Sequence, residues 1–455
     1  MEEYDLIVIG AGSGLDVASA FASRGKSVAV IEPGRMGGTC LNRGCIPSKM
    51  LIHRADIAQE IRESERFGIE ASLDDIHFKE IVEEVNEEVH GDAENIEKGL
   101  NQSEQHTLYK QEARFVDEKV LELKDSGDKI TSEKIVVAAG SRPFIPPVDG
   151  VEDVDYWTSK EALNPDSQPE SIIMVGGGYI SLELAHFYDA MGTEVTILER
   201  GNRVLNREDR DVSEKITDIA GDRYDLELGV SATQLSESDG KKKVVAEDSD
   251  GEELEFTADE ILLATGRVPN SDSLEVEQAG IETTERGFIK TDEKMKTNVD
   301  GIYALGDIAD NWMFKHSANH EGEIVFKNIV TGDQYNLDYP EMPHAVFTSP
   351  QIAGIGSTEQ QLEENDAEYV SATYNYENTG MGGALKEKDG FVKVLADPQT
   401  REILGCHIIG PHASQQIHEV LVAMKAGSGT VDDIKDTIHI HPALNEVVQR
   451  AFNQI

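Results

Sequence analysis

The chain opens on a short apolar run, Asp5-Leu6-Ile7-Val8-Ile9, that breaks at Gly10-Ala11-Gly12-Ser13-Gly14. Apolar positions then recur at helical spacing (Val17, Ala18, Ala20, Phe21), and a second run, Val28-Ala29-Val30-Ile31, ends at Glu32. Short continuous apolar runs read as strands buried on both faces, and the 3.6-residue period between them reads as a crossover helix. Strand, glycine turn, helix, strand and acid in that order predict a dinucleotide-binding unit. The glycines let the backbone approach a pyrophosphate, the helix N-terminus holds it, and the acid bonds a ribose hydroxyl. Gly10, Gly12, Gly14 and Glu32 are its candidate contacts. The third glycine of such a turn would fall at Leu15, so looser or re-angled helix–strand packing is expected there.

The pattern recurs. Ser171-Ile172-Ile173-Met174-Val175 leads into Gly176-Gly177-Gly178-Tyr179-Ile180-Ser181, a helical stretch follows (Leu182, Leu184, Ala185, Phe187), and a further run ends at Glu199. Here Ser181 takes the third glycine's place, and Gly178, Tyr179, Ile180 and Glu199 are the candidate contacts. Two such units imply two dinucleotides, most simply FAD and NAD(P)H. Two more apolar runs, 135–139 and 261–264, end at Gly140 and Gly266 and close the two units, which places 149–264 as an insertion in the first. The segment 53–110 reads as helical and acidic. After residue 340 alternating runs at 345–347, 391–395 and 403–410, with two helices, predict an α+β domain, joined through a polar linker at 332–338.

Charge changes the picture next. Asp plus Glu number 87 against 41 Lys plus Arg, a net charge of −46 over 455 residues. Such a surface repels nucleic acid and anionic lipid, so neither is expected as a partner. Apolar periodicity persists throughout, which argues against disorder. The composition fits a surface adapted to very high salt, where the Debye length falls to about 3 Å and self-repulsion is screened. No 18-residue apolar run exists and the N-terminus lacks a basic signal region, so a cytoplasmic protein is expected.

There are three cysteines, Cys40, Cys45 and Cys406. The close pair reads as redox-active or metal-binding. Zinc would need two more ligands at fitting spacing and none is found, so no metal is expected and a redox disulfide fits better. On an ideal helix residues i and i+5 lie about 8.6 Å apart at Cα, beyond the roughly 7 Å that a disulfide allows. The turn must therefore be distorted, and Gly44 supplies the freedom. Cys406, in an apolar strand, reads as core, and His316, His320 and His439 as structural.

The segment 37–49, GGTCLNRGCIPSK, strongly resembles the redox-disulfide helix of the class I pyridine nucleotide–disulfide oxidoreductases, which include dihydrolipoamide dehydrogenase, glutathione reductase and mycothione reductase. The likeness covers the whole chain, through GGGYISLE (176–183), ATGRVPN (264–270), GIYALGD (301–307) and HPALNE (441–446). It implies an α/β fold with two Rossmann-like domains, one for FAD (1–148 and 265–335) and one for NAD(P) (149–264), plus a C-terminal α+β dimerisation domain (336–455). It also implies roles. Cys40 is the thiol that attacks the substrate disulfide and Cys45 the one against the flavin, both acidified near a helix N-terminus. Lys49 and Glu183 form an ion pair beside the flavin, with Thr39 another contact. Tyr179 gates the nicotinamide pocket, Asp307 binds the ribityl chain, and Ala113 meets the adenine. His441 is the acid/base, oriented by Glu446, with a cis peptide before Pro442. That histidine serves the other subunit's disulfide, so a homodimer is implied. Finer likeness points to the mycothione reductase branch. With the acidic surface, it suggests bis-γ-glutamylcystine, the disulfide of the haloarchaeal small thiol, as substrate. The alternative is a dihydrolipoamide dehydrogenase docked in a 2-oxoacid dehydrogenase complex. Glu199 favours NADH. Arg200 and Arg203, which follow it, favour NADPH, the preferred reading if the acid turns outward.

Overall fold

The computed structural model describes residues 1–309, 311–332, 334–339 and 341–455. Residue 333 of the expected linker therefore lies outside the described residues. Strands Leu6–Ile9 and Val28–Ile31 are buried at every position, as continuous apolar runs require when helices cover both faces. They form the middle of a five-stranded parallel sheet ordered Ile302–Ala304, Ile135–Val137, Leu6–Ile9, Val28–Ile31, His106–Tyr109. The chain thus leaves this sheet after residue 137 and returns to it at 302. In between, Ser171–Val175, Glu194–Glu199, Asp225–Leu228 and Glu260–Leu263 build a second parallel sheet. A three-stranded antiparallel layer, Ser231–Ser238, Lys241–Glu247 and Glu253–Ala258, lies beside it.

The segment 53–110 is not wholly helical. Helices Cys45–Arg62 and Phe78–Gln102 are joined by irregular chain, and His106–Tyr109 is an edge strand of the first sheet. The C-terminal part is a five-stranded antiparallel sheet ordered His344–Val346, Ile352–Gly356, Ile403–Ile409, Phe391–Ala396, Val370–Asn375. Among the described residues it carries five short helices rather than two, of which Ala413–Ala426 is the longest.

One apolar cluster fills the first unit. A second runs from the paired helices 45–62 and 78–102 through the inserted unit to Val346, Ile352, Phe391 and Ile409 of the C-terminal sheet. The inserted unit is also latched to that sheet by charge. Lys393, 1% exposed, sits within 2.8 Å of Asp209 and 2.7 Å of both Asp211 and Glu359. Glu208 pairs with His344 at 2.9 Å alongside. No helix among the described residues is long and apolar enough to cross a membrane.

Candidate active site

The helix carrying the cysteine pair breaks where the spacing demands. Gly38–Arg43 ends and Cys45–Arg62 begins around Gly44. A Cβ on Gly44 would lie 3.0 Å from the Thr39 carbonyl oxygen, tighter than a side chain usually tolerates. Thr39 itself is half-buried, one residue before Cys40. Both cysteines are free thiols; Cys45 is exposed and Cys40 half-buried. A hydrogen bond from Cys40 brings the Cys45 thiol down to about 7, against partial burial and with help from the Lys49 ammonium. The same bond, with burial, pushes Cys40 well above an ordinary thiol, while Lys315 pulls it the other way. The pair is therefore split, not acidified together as two helix N-termini would suggest. Two sulfurs holding one proton ionise in sequence, and the first charge rests on Cys45.

One turn further along, Lys49 Nζ lies 2.6 Å from Glu183 Oε2. The other carboxylate oxygen accepts the Phe347 N–H at 2.9 Å, and the Lys49 ammonium stands 4.6 Å over the Phe347 ring. Three parts of the chain so meet at one charge pair. A second tie, His186 Nε2 to Asp56 Oδ1 at 2.8 Å, joins the same two helices. A cleft of about 510 Å³ opens beside Cys45, Lys49, Met50, His53 and Phe347. Tyr179, 47% exposed, starts helix Tyr179–Met191, with Ile180 half-buried behind it.

The two glycine turns are copies. A Cβ on Gly10 (φ +102) would sit 2.2 Å from the Ala138 carbonyl oxygen, and one on Gly176 (φ +108) 2.7 Å from that of Ala264. Gly178 instead faces open space, and a Cβ on Gly12 would meet nothing closer than the Gly38 Cα at 3.9 Å, an ordinary contact. That is the room a pyrophosphate needs, so both turns fit a dinucleotide. Packing at the first turn is not loosened by Leu15. Gly14 makes the close approach, since its Cβ would lie 2.8 Å from Val8 and 2.9 Å from Ala138. In the second turn Ser181 is fully buried and its hydroxyl has no partner among the described residues.

Each acid ties its own turn. Glu32 accepts the N–H groups of Ala11 (3.0 Å) and Gly34 (2.8 Å). Glu199 accepts those of Gly177 (2.5 Å) and Gly201 (2.7 Å). Glu199 is buried and turns inward, contrary to the outward turn considered above, because two backbone donors hold it. Arg200 beside it is exposed and Arg203 pairs with Glu214 at 2.9 Å. Gly140 and Gly266 both have positive φ and nothing within 4 Å of a Cβ. Asp307 receives the Ser141 hydroxyl at 2.6 Å, and Arg267 bonds that hydroxyl at 2.7 Å. Ala113 is buried at the start of strand Ala113–Asp117.

His441 and Glu446 meet on the C-terminal body, Nδ1 to Oε1 at 2.8 Å, with a cis peptide before Pro442. The hydrogen bond from His441 holds the Glu446 carboxyl below its usual range. Glu446 is buried, whereas the imidazole is 74% exposed and none of its bonds reaches the sulfurs. Ile438 and Ile440, just before it in the chain, are 96% and 79% exposed. Cys406 is fully buried, as expected of a core residue. His439 pairs with Glu419 and His316 with the Pro343 carbonyl. Sequence reasoning missed Phe347, Ser141, Arg267 and Lys315 as parts of the site. Arg267 and Lys315 carried a signal, since each is a cation placed beside a glycine turn or helix start.

Two dinucleotide turns, a split thiol pair and a charge pair between them define a flavin-dependent disulfide oxidoreductase. The chain belongs to the pyridine nucleotide-disulphide oxidoreductase family, whose model matches residues 4–322, with the family's dimerisation domain at 342–452. It is 36% identical to mycothione reductase of Mycobacterium tuberculosis over 465 residues, covering 99% of each chain. It is 37% identical to dihydrolipoyl dehydrogenase of Haloferax volcanii over 459 residues, covering 98% of this chain and 95% of the other. The solved HOCl-induced flavoprotein disulfide reductase RclA of Escherichia coli superposes with a TM-score of 0.88 at 27% identity, covering 99% of this chain and 100% of that one. The family acts on sulfur groups with FAD and NAD(P)H, and the match to its dimerisation domain supports a homodimer.

Proposed function

We propose that the protein reduces a small-thiol disulfide with NAD(P)H, and that the disulfide is bis-γ-glutamylcystine. The observation that carries this reading is the pairing of half-buried Cys40 with exposed Cys45 across the helix break at Gly44, beside the Lys49–Glu183 pair. Such a pair suits a redox disulfide that works by thiol exchange. We assign FAD to the unit built from 1–148 and 265–335, held by Gly10, Gly12, Gly14, Glu32, Thr39, Ala113, Gly140 and Asp307. NAD(P) belongs to 149–264, through Gly178, Tyr179, Ile180, Glu199, Arg200 and Gly266, and 336–455 forms the dimer contact. Bound there, FAD would supply two-electron chemistry, linking hydride from the nicotinamide to reduction of the Cys40–Cys45 bond. Lys49 and Glu183 set the charge beside that transfer.

Cys40 then attacks the substrate disulfide. A mixed disulfide forms and one thiolate leaves, protonated by His441 of the other protomer, which Glu446 holds in one tautomer. Cys45 attacks Cys40, re-forms the internal bond and frees the second thiol. One NAD(P)H and one proton are consumed for two thiols released. The high exposure of His441 supports service to a second subunit. The inward turn of Glu199 removes one argument for NADPH; Arg200, exposed and without an ion pair among the described residues, is what still supports it, with NADH as the alternative.

The acidic surface and the mycothione reductase likeness favour the small disulfide. The 37% identity to a haloarchaeal dihydrolipoyl dehydrogenase favours the second reading, oxidation of dihydrolipoamide in a cytoplasmic multienzyme complex. A panel of disulfides and dihydrolipoamide, assayed in molar KCl with both nicotinamides, decides between them. Turnover of bis-γ-glutamylcystine is expected to exceed dihydrolipoamide oxidation by at least about tenfold in kcat/KM; the reverse order overturns the proposal. Arg200→Met is expected to raise KM for NADPH about tenfold and leave that for NADH unchanged.

A further inference from the structure

Cations are scarce in this chain, and most of them are paired: 41 Lys and Arg face 87 carboxylates. Lys315 departs from that pattern. It is half-buried at the first position of helix Lys315–Thr331, yet it makes no ion pair among the described residues. Its one hydrogen bond runs from Nζ to the Ser13 hydroxyl at 2.8 Å, and Ser13 in turn donates to Asn319 Oδ1 at 3.0 Å. Ser13, itself held by Asn319, thus anchors the ammonium without neutralising it. Ser13 directly follows Gly12, and Gly12 is packed against the start of the cysteine helix: a Cβ on Gly38 would lie 2.8 Å from the Gly12 Cα. The ammonium is therefore anchored at the seam on which Cys40 sits.

We propose that Lys315 is a positioning residue of the redox centre, whose uncompensated charge stabilises the thiolate at Cys40 during exchange with substrate. This rests on the reading of Cys40 as the attacking thiol. Two electrons and one proton added to the Cys40–Cys45 bond leave one thiol and one thiolate, and the charge settles on Cys45 next to Lys49. Attack on substrate needs the charge on Cys40 instead, with the proton passed on. The groups that bear on Cys40 are Cys45, which opposes its ionisation through their shared proton, and Lys315, which favours it. On the far side of Cys45, Lys49 favours charge on that sulfur and Glu183 opposes it. Lys315 is thus the cation on the Cys40 side, matching Lys49 on the Cys45 side. A half-buried ammonium keeps its effect in concentrated salt better than an exposed one, because ions screen it less.

The test uses FAD-loaded enzyme in molar KCl. In a Cys45→Ser background, where Cys40 titrates alone, the rate of alkylation by iodoacetamide is followed against pH and the adduct is located by mass spectrometry. Adding Lys315→Met is expected to slow Cys40 alkylation near neutral pH about tenfold and to move its midpoint up by about one pH unit; Lys315→Arg should restore both. In otherwise native enzyme, Lys315→Met should lower kcat with disulfide by a larger factor than it slows reduction of ferricyanide by NADPH, and Lys315→Arg should narrow that gap, a pattern that a merely structural lesion would not give. Flavin absorbance checks that the variants fold. Equal alkylation profiles with and without Lys315→Met overturn the proposal while leaving Cys40's role intact. Native disulfide turnover by Cys40→Ser overturns the reading of Cys40, and the proposal with it.

Discussion

Lys49 and Glu183 stand 134 positions apart in the chain and 2.6 Å apart in space, one on the helix that carries Cys45 and the other on the crossover helix of the second dinucleotide unit. The pair is asymmetric: the lysine side chain is 33% exposed, the glutamate 6%. Lys49→Met would leave a buried carboxylate with only the Phe347 N–H. The expected cost is about 1–3 kcal/mol, below that of a fully buried pair because the lysine is partly wetted. Denaturant titration of the holoenzyme checks the stability, and stopped-flow reduction by NADPH should show a slower transfer. Unchanged midpoint and rate would remove the pair from both roles.

The Cys45 thiol, brought down to about 7 chiefly by the bond from Cys40, is charged above that pH and loses its charge as pH falls through it. Cys40→Ala removes the donor. Burial then acts with less opposition, so the Cys45 titration should move upward, measured by ultraviolet thiolate absorbance of the reduced protein. A midpoint still near neutrality would assign the acidity to Lys49 instead.

For the histidine pair, His441→Gln should lower disulfide turnover by about 10²–10⁴ and leave electron transfer from NADPH to artificial acceptors intact. Glu446→Gln should cost less, since imidazole is retained and only its tautomer and orientation are freed. Mixing His441→Gln chains with Cys40→Ser chains should recover activity in the heterodimer if the residues work across subunits. No recovery would mean that each chain is self-sufficient.

Salt should stabilise the protein. With a net charge of −46, self-repulsion falls as the Debye length drops from about 10 Å at 0.1 M to about 3 Å at 1 M. Calorimetry in KCl is expected to show Tm rising by on the order of 10 °C over that range. A flat or falling Tm would contradict a salt-adapted surface.

What could be read from the residues followed physical rules of different reach. Continuous apolar strands such as Leu6–Ile9 and Ser171–Val175 were legible because burial on both faces leaves no polar positions. The break at Gly44 followed from helix geometry alone. His106–Tyr109 was not legible: it is an edge strand with no fully buried residue, so its pattern resembles a polar helix end. Ile352–Gly356 escaped for the opposite reason, two glycines in five residues, one of which makes room for His344 and His407. The inward turn of Glu199, the close packing of Gly14 and the anchoring of Lys315 at Ser13 depend on partners brought in by the fold. In the last case the partner is 302 positions away. Motif spacing names such residues but does not say which way they face.

Lys393 carries a consequence for how the enzyme moves. One ammonium, sealed from water, rivets the inserted unit to the C-terminal sheet. Swinging that unit as a rigid flap would part Lys393 from Asp209, leaving a fully buried carboxylate without its cation. Movement near the second glycine turn is therefore a matter of side chains rather than whole domains: a half-exposed aromatic such as Tyr179 can rotate aside while the frame around it stays locked.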